Sequence, residues 1–321
     1  MNNSEVALII IFNHRYDKNL PYLEEMYKDR FSNRYYLVPF YDGEQENVIP
    51  VYDRSVFFSG YIAQGANIFI KKEYKHYLFI ADDMIIHPGI NENTYRDFFE
   101  IDEHQSWIPY LRSFQDTNRP WNGTFWGMFY KKKQKWVEVD GELPPVDEAI
   151  RRFANQGVEI RDLTRKEIFG PCTFAHKSLQ QKAFLVTRIL TRLRHPFKNK
   201  YRMQYPLCGS YSDICCVSGD CIKKFAHYCG VFSATSLYVE VAVPSALVLA
   251  SDTKLQSEKT TRHKGRAYWW GAGAFYFSEE DHMDRIEEKY SCLDDIMNNF
   301  PDDQLYIHPI KLSKWLKKNK K

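Results

Sequence analysis

The segment His76-Tyr-Leu-Phe-Ile-Ala-Asp-Asp-Met-Ile-Ile-His-Pro88 decides how this sequence is read. Tyr77–Ile80 is an apolar, β-favouring run, and Met84–Ile86 reads as its continuation. Between them stand two adjacent carboxylates, Asp82 and Asp83. Two acids at the end of a buried strand are costly unless water or a cation solvates them. Their hard oxygens suit Mg²⁺ or Mn²⁺, which can bridge to a diphosphate. A solvated turn or a helix cap would use the same residues.

Working outward, Val6–Phe12 is the longest unbroken apolar run and suits a strand buried on both faces. Leu20–Arg30 has helical spacing, Tyr35–Pro39 is a second strand, and Arg54–Lys72 is a helix with Val56, Phe57, Ile62, Ala63, Ala66 and Ile70 on one broad face. Strand–helix–strand–helix–strand predicts an α/β fold, a Rossmann-type and mainly parallel sheet flanked by helices. Ligands of such sheets bind beyond the carboxyl ends of the strands. Those ends are Asn13–Arg15, Phe40–Gly43 and Ala81–Asp83. Downstream, Trp107–Glu167 is rich in Trp, Pro and Gly and predicts loops and hairpins. Leu179–Leu193 has an amphipathic helical pattern. Tyr211–Ser218 reads as a strand, Asp220–Cys229 as a helix, and Ser236–Val241 leads into an apolar stretch ending near Ala250. The expected division is one domain over 1–280, with a basic helical insertion at about 179–202, and a helical, lysine-rich extension over 281–321.

The composition supports a folded chain. Of 321 residues, 44% are hydrophobic and 26% charged, which excludes disorder, collagen and coiled coil for the whole. No apolar run approaches the roughly 20 residues of a membrane-spanning helix. Met1–Glu5 carries no basic residue, so no export signal is expected and the cytoplasm is the expected location. The seven cysteines then read as reduced thiols, and Cys215, Cys216 and Cys221 lack the paired spacing of a zinc site. Charge is unevenly placed. Leu179–Arg202 holds seven basic residues and Lys311–Lys321 six, with no acid in either. Setting those 13 aside leaves 31 of the 44 basic residues against 41 acidic ones. Two basic segments on an acidic body suggest an anionic membrane surface as partner. Leu312, Trp315 and Leu316 would supply apolar contacts there. No nucleic-acid motif is present, and nucleic acid is not an expected partner.

A hydrophobic strand running into paired acids resembles the metal-binding segment of GT-A-type glycosyltransferases. In that family the strand ends in Asp-x-Asp, and the last Asp holds the metal on a sugar nucleotide. Asp83 takes the last position, Asp82 the middle one, and Ala81 replaces the first acid. A second segment is similar in order. Gly209-Ser-Tyr-Ser-Asp-Ile-Cys-Cys-Val-Ser is followed by a helix, by Cys229-Gly-Val-Phe in place of a Gly-Gly-Phe-like turn, and by Glu240 where the family opens another helix with an acid. The resemblance covers roughly residues 5–270.

The resemblance implies a reaction. A sugar passes from a nucleotide-sugar donor, linked to UDP or GDP, to a hydroxyl of a glycan or lipid-linked glycan, as in bacterial or viral polysaccharide biosynthesis. Mn²⁺ or Mg²⁺ at Asp83 would neutralise the leaving diphosphate. Glu240, or Asp213 as the second candidate, would take the acceptor proton and give inversion. Asn13, His14, Arg15, Asp42, Gln64 and Asp82 would bind the donor, and His263, in a late loop, would join the metal. Tyr268, Trp269 and Trp270 would stack on acceptor sugar rings. Two alternatives remain at this point: a non-catalytic nucleotide- or carbohydrate-binding protein of the same fold, and a metal-dependent nucleotidyltransferase. The latter normally has a Gly-rich phosphate loop, and Phe12–Leu20 contains no glycine.

Overall fold

The structure is a computed structural model that describes residues 4–114, 127–168, 179–192, 199–267, 286–312 and 315. A five-stranded sheet forms its centre, in the order β3-β2-β1-β4-β8. Strands β1 (Val6–Ile11), β2 (Asn33–Pro39), β3 (Val48–Val51) and β4 (His76–Ala81) are parallel, and β8 (Ile214–Ser218) runs antiparallel to β4. All six residues of β1 are buried. Because side chains alternate across a strand, they divide between two cores. Ala7, Ile9 and Ile11 enter one, with Tyr77 and Phe79 of β4. Val6, Leu8 and Ile10 enter the other, with Leu78 and Ile80. Both faces are therefore covered, as parallel sheets require.

The first face packs on α2 (Ser59–Phe69), α4 (Val146–Asn155), α7 (Ile222–Ala234) and α8 (Val239–Ala250). The second packs on α1 (Leu20–Tyr27), α3 (Tyr95–Phe99), α9 (Ile286–Lys289), α10 (Leu293–Asn298) and a second sheet. That sheet has the order β5-β10-β9, from Ile85–Ile86, Gln304–His308 and Lys264–Ala267. The middle of the sequence forms the short pair β6 (Leu163–Thr164) and β7 (Lys200–Tyr201), with α5 (Arg165–Ile168) and α6 (Leu179–Arg192), and Leu163 and Ile168 join the first core.

The α/β architecture with its mainly parallel sheet is as the sequence predicts, and several local readings are corrected. Val48–Val51 is an edge strand not foreseen, and its exposed Pro50, which lacks an N–H, suits an edge. Ile85–Ile86 does not prolong β4; it pairs with Ile307 and Tyr306 in the second sheet. Within Trp107–Glu167, Pro145, Asp147 and Glu148 open a true helix, α4. Cys229–Phe232 is no turn: α7 continues to Ala234, and Gly230 serves close packing, since a Cβ there would lie 2.9 Å from Ala63 of α2. Among the described residues beyond 280, α9 and α10 precede the strand β10, which is the middle strand of the second sheet, and Leu312 and Trp315 are buried in the second core. Those two side chains are thus committed to the core and are not available to a membrane. The six cysteines in the described residues are free thiols.

Candidate functional site

The sheet order puts β1 between β2 and β4, so the chain reverses its direction of sheet growth beside β1. The carboxyl ends of β1 and β4 form the switch point where open α/β sheets leave a crevice. Asp82 and Asp83 follow β4 there. The Asp82 backbone N–H donates to Ile11 O at 2.9 Å, and its Oδ1 accepts from the Asn13 N–H at 3.3 Å. The ends of the two central strands are stitched together through this acid. Because β8 is antiparallel, its beginning meets the end of β4, and Ala81 N–H donates to Asp213 O at 2.8 Å. The order of the strands thus gathers three carboxylates that lie 130 residues apart in sequence.

A histidine not foreseen from the sequence completes the group. His308 ends β10, and its Nε2 lies 3.0 Å from Asp83 Oδ1. Tyr211 Oη is hydrogen-bonded to His308 Nδ1. Burial would hold His308 neutral, but Asp83, with Asp213 and Asp82, raises its pKa above the ordinary value. Asp83 responds in the opposite sense: burial would raise it, but His308 and then Lys311 bring it below the usual carboxylate range. Asp82 is pushed up to about 8, by burial first and the Asp83 charge second. Asp213 is pushed up to about 6, mainly by burial, with His308 opposing. The local sequence marks His308 only weakly. Leu305-Tyr-Ile-His-Pro309 repeats the apolar-His-Pro ending of Ile85-Ile-His-Pro88.

The predicted late histidine, His263, sits elsewhere. Its ring packs on Phe98 with centroids 4.8 Å apart, and Phe98 packs in turn on His87. The imidazole that meets Asp83 is His308, because β10 and not the loop before β9 ends at the acids. Tyr268, Trp269 and Trp270 lie outside the described residues. Ala267, which precedes them, is the β9 partner of His308.

Glu240 lies in the first turn of α8 and is partly accessible. Pro244, inside the helix, cannot donate to the Glu240 carbonyl; the Ser210 N–H does so instead, at 3.0 Å. This bond fixes the start of α8 to the segment that carries Asp213. Between the two acids stands Tyr238, whose pKa rises through burial, then through the Glu240 and Asp213 charges, and through a hydrogen bond with Glu240. Both candidate bases therefore act on one hydroxyl, Glu240 through a hydrogen bond and its charge, Asp213 through its charge.

Beside the acids, at the ends of β1–β3, a cleft of about 590 Å³ is lined by Asn13, His14, Arg15, Phe40, Tyr52 and Arg54, among others. Phe40 and Tyr52 are 56% and 61% exposed and meet edge to face with centroids 5.7 Å apart. Phe40 has φ of 53°, a left-handed conformation that bulky residues avoid. Arg15 is bonded to Asp42 and lies 3.6 Å from Asp17. His14 packs edge-on against Tyr16. The Gln64 side chain accepts from Tyr52 N–H at 2.8 Å and holds the loop after β3, which carries a ring of the cleft. Asn13 belongs to both regions, lining the cleft and donating to Asp82.

Among the described residues, no three His, Cys, Asp or Glu side chains form a ready cage for a metal ion. The oxygen donors Asp82, Asp83 and Asp213 are of the kind Mg²⁺ and Mn²⁺ accept, and Ser212 Oγ is buried without a hydrogen-bond partner next to Asp213. The sequence matches no protein-family model and has no significant match among curated proteins.

Proposed function

We propose that this protein transfers a sugar from a nucleotide-sugar donor to a hydroxyl of a glycan acceptor, in the manner of GT-A-type glycosyltransferases. The observation that carries the reading is the union, at Asn13, of a cleft bearing exposed aromatic rings with a cluster of buried carboxylates at the switch point. The cleft suits a nucleotide: Phe40 and Tyr52 offer ring faces to a base, and His14, Arg15 and Arg54 line its polar side. Asp83 and Asp82 would hold Mn²⁺ or Mg²⁺, which when bound neutralises charge on the leaving diphosphate. Magnesium is usually held by one or two carboxylates plus substrate phosphates, so a complete protein cage is not required.

Glu240 or Asp213 removes the acceptor proton as the hydroxyl attacks the anomeric carbon, and attack opposite the diphosphate inverts that centre. A carboxyl near pKa 6, such as Asp213, is poised for this task at neutral pH. The acceptor's sugar rings would meet Tyr268, Trp269 and Trp270, which follow the end of β9 in sequence.

The test is a thermal shift with UDP and with GDP, each with Mn²⁺ or with EDTA. One nucleotide is expected to raise Tm by a few degrees, and more with Mn²⁺. Equal shifts with metal and with chelator remove the metal from the proposal. No shift with either nucleotide overturns it.

A further inference from the structure

Helix α6 carries a feature that the proposed transfer does not use. Leu179, Ala183, Val186 and Leu190 follow one another at spacings of four, three and four, which places them along one side of the helix. All four are exposed, Leu179 at 85%, Leu190 at 47% and Val186 at 36%. Apart from the Phe40–Tyr52 pair of the cleft, other large exposed hydrophobics such as Ile68 and Trp136 stand on separate elements; these three share one 14-residue helix. Isolated exposed apolar residues need no explanation, but an apolar stripe on a helix does.

The charge of the segment says what covers the stripe. Leu179–Arg202 contains Lys182, Arg188, Arg192, Arg194, Lys198, Lys200 and Arg202 and no acid. A second copy of this chain would bring like charge against like. Nucleic acid would satisfy the charge but offer no apolar bed. An anionic bilayer offers both, acyl chains for the stripe and headgroups for the cations. We propose that α6 lies in the interface of an anionic membrane, with Leu179, Ala183, Val186 and Leu190 inserted and the positive charge of its sequence segment drawing it to the headgroups. The acidic remainder of the chain would be repelled by the same surface, which orients the molecule with α6 toward the lipid. Among the described residues, the burial of Leu312 and Trp315 takes those two side chains out of this dock and leaves the exposed stripe of α6. The inference does not depend on the proposed chemistry.

The test is co-sedimentation of the full chain with vesicles of phosphatidylcholine alone or with about a third phosphatidylglycerol. Binding is expected to the anionic vesicles at about 0.1 M salt and to fall at least tenfold by about 1 M, as the screening length shrinks from about 10 to about 3 Å. The double variant Val186→Glu/Leu190→Glu should lose binding at least tenfold, with unchanged circular dichroism and unchanged thermal response to nucleotide. Lys182→Glu should lose less. Four results overturn the proposal: equal binding to neutral vesicles, no binding to anionic ones, undiminished binding by the double variant, or a dimeric mass in solution that the double variant makes monomeric.

Discussion

The two ends of strand β4 carry the same chemistry to opposite results. At its amino end, His76 is fully buried. Its Nε2–H donates to Gln105 O at 3.0 Å, and Nδ1 accepts from Tyr95 Oη at 2.9 Å. Both ring nitrogens are satisfied in the neutral form, and burial pushes the pKa down to about 4. At the carboxyl end, His308 is 4% exposed, yet its pKa rises, because Asp83, Asp213 and Asp82 surround it. Burial acts alike on both rings. What differs is the countercharge: Asp83 touches His308 directly, whereas around His76 the carboxylates Asp102 and Asp220 act weakly and Arg96 opposes them. One end is a plug that wants to stay neutral; the other gathers charge that a core has no structural use for.

The largest effect tests whether that charge has a use. Asp83→Asn removes the carboxylate nearest His308 while keeping its shape. Transfer, measured as kcat, should fall by about 10³-fold or more, the scale of losing a fixed charge at the reacting group. The mirror substitution, His76→Gln, should leave kcat within a few-fold. If Asp83→Asn turns over normally, the two ends are alike and the acids are a structural network.

A comparable loss separates the two candidate bases. Glu240→Gln and Asp213→Asn each keep shape but cannot take a proton. The true base should lose about 10²–10⁴-fold in kcat with donor affinity nearly unchanged. Loss in Asp213→Asn alone moves the role to Asp213. If both stay active, inversion is wrong, and the product's anomeric configuration by NMR should show retention.

The next effect is on stability. His76 titrates near 6.5 when unfolded and near 4 when folded. The unfolded chain therefore binds the extra proton between those values. The contribution of His76 is fully present above about pH 6.5 and is lost as pH falls toward 4, by roughly 3 kcal/mol for a shift of this size. His308, with its raised pKa, runs the other way, its contribution being lost as pH rises through the folded value. Denaturant midpoints measured from pH 7 to 4 should show the fall in the native chain and a shallower one in His76→Gln.

These contrasts explain which parts of the molecule a sequence reveals. β1 and β4 were legible because continuous apolar runs broken by acids are local patterns. Asp82 and Asp83 were legible for the same reason. Glu240 was placed at the opening of a helix through the family resemblance, and it lies in the first turn of α8. His308 was not found, because its meaning depends on a partner 225 residues away. Ile85–Ile86 was misread for a related cause: local continuity with β4 suggested one strand, whereas pairing with Ile307 and Tyr306 decides its sheet. The turn expected at Cys229–Phe232 failed because Gly230 answers to Ala63 of α2, not to the chain's direction.

The smallest effect asks whether the cleft beside the acids is built for a ring. Phe40 keeps φ at 53° and leaves its ring 56% exposed beside Tyr52. A left-handed conformation costs a side chain of this kind about 1–2 kcal/mol. A ring left 56% exposed with an edge contact to Tyr52 recovers only part of its burial, so packing alone does not justify the strain. Strain held at a ligand-facing residue is expected where function selects it. Phe40→Gly removes the strain, and after glycine's own entropic penalty of about 0.5–1 kcal/mol the fold should gain up to about 1 kcal/mol. The same substitution removes a stacking face worth about 1–3 kcal/mol per base, so nucleotide affinity should fall about tenfold. Stability up and affinity down, from one substitution, is a pair of signs that a purely structural Phe40 would not produce. Phe40→Asn, which also tolerates the left-handed region, should follow Gly, whereas Phe40→Trp should keep both the strain and the affinity. Calorimetric titration beside thermal melts reads the two signs independently. Unchanged affinity in Phe40→Gly would place the base elsewhere in the crevice and leave the acids at the switch point as the whole of the site.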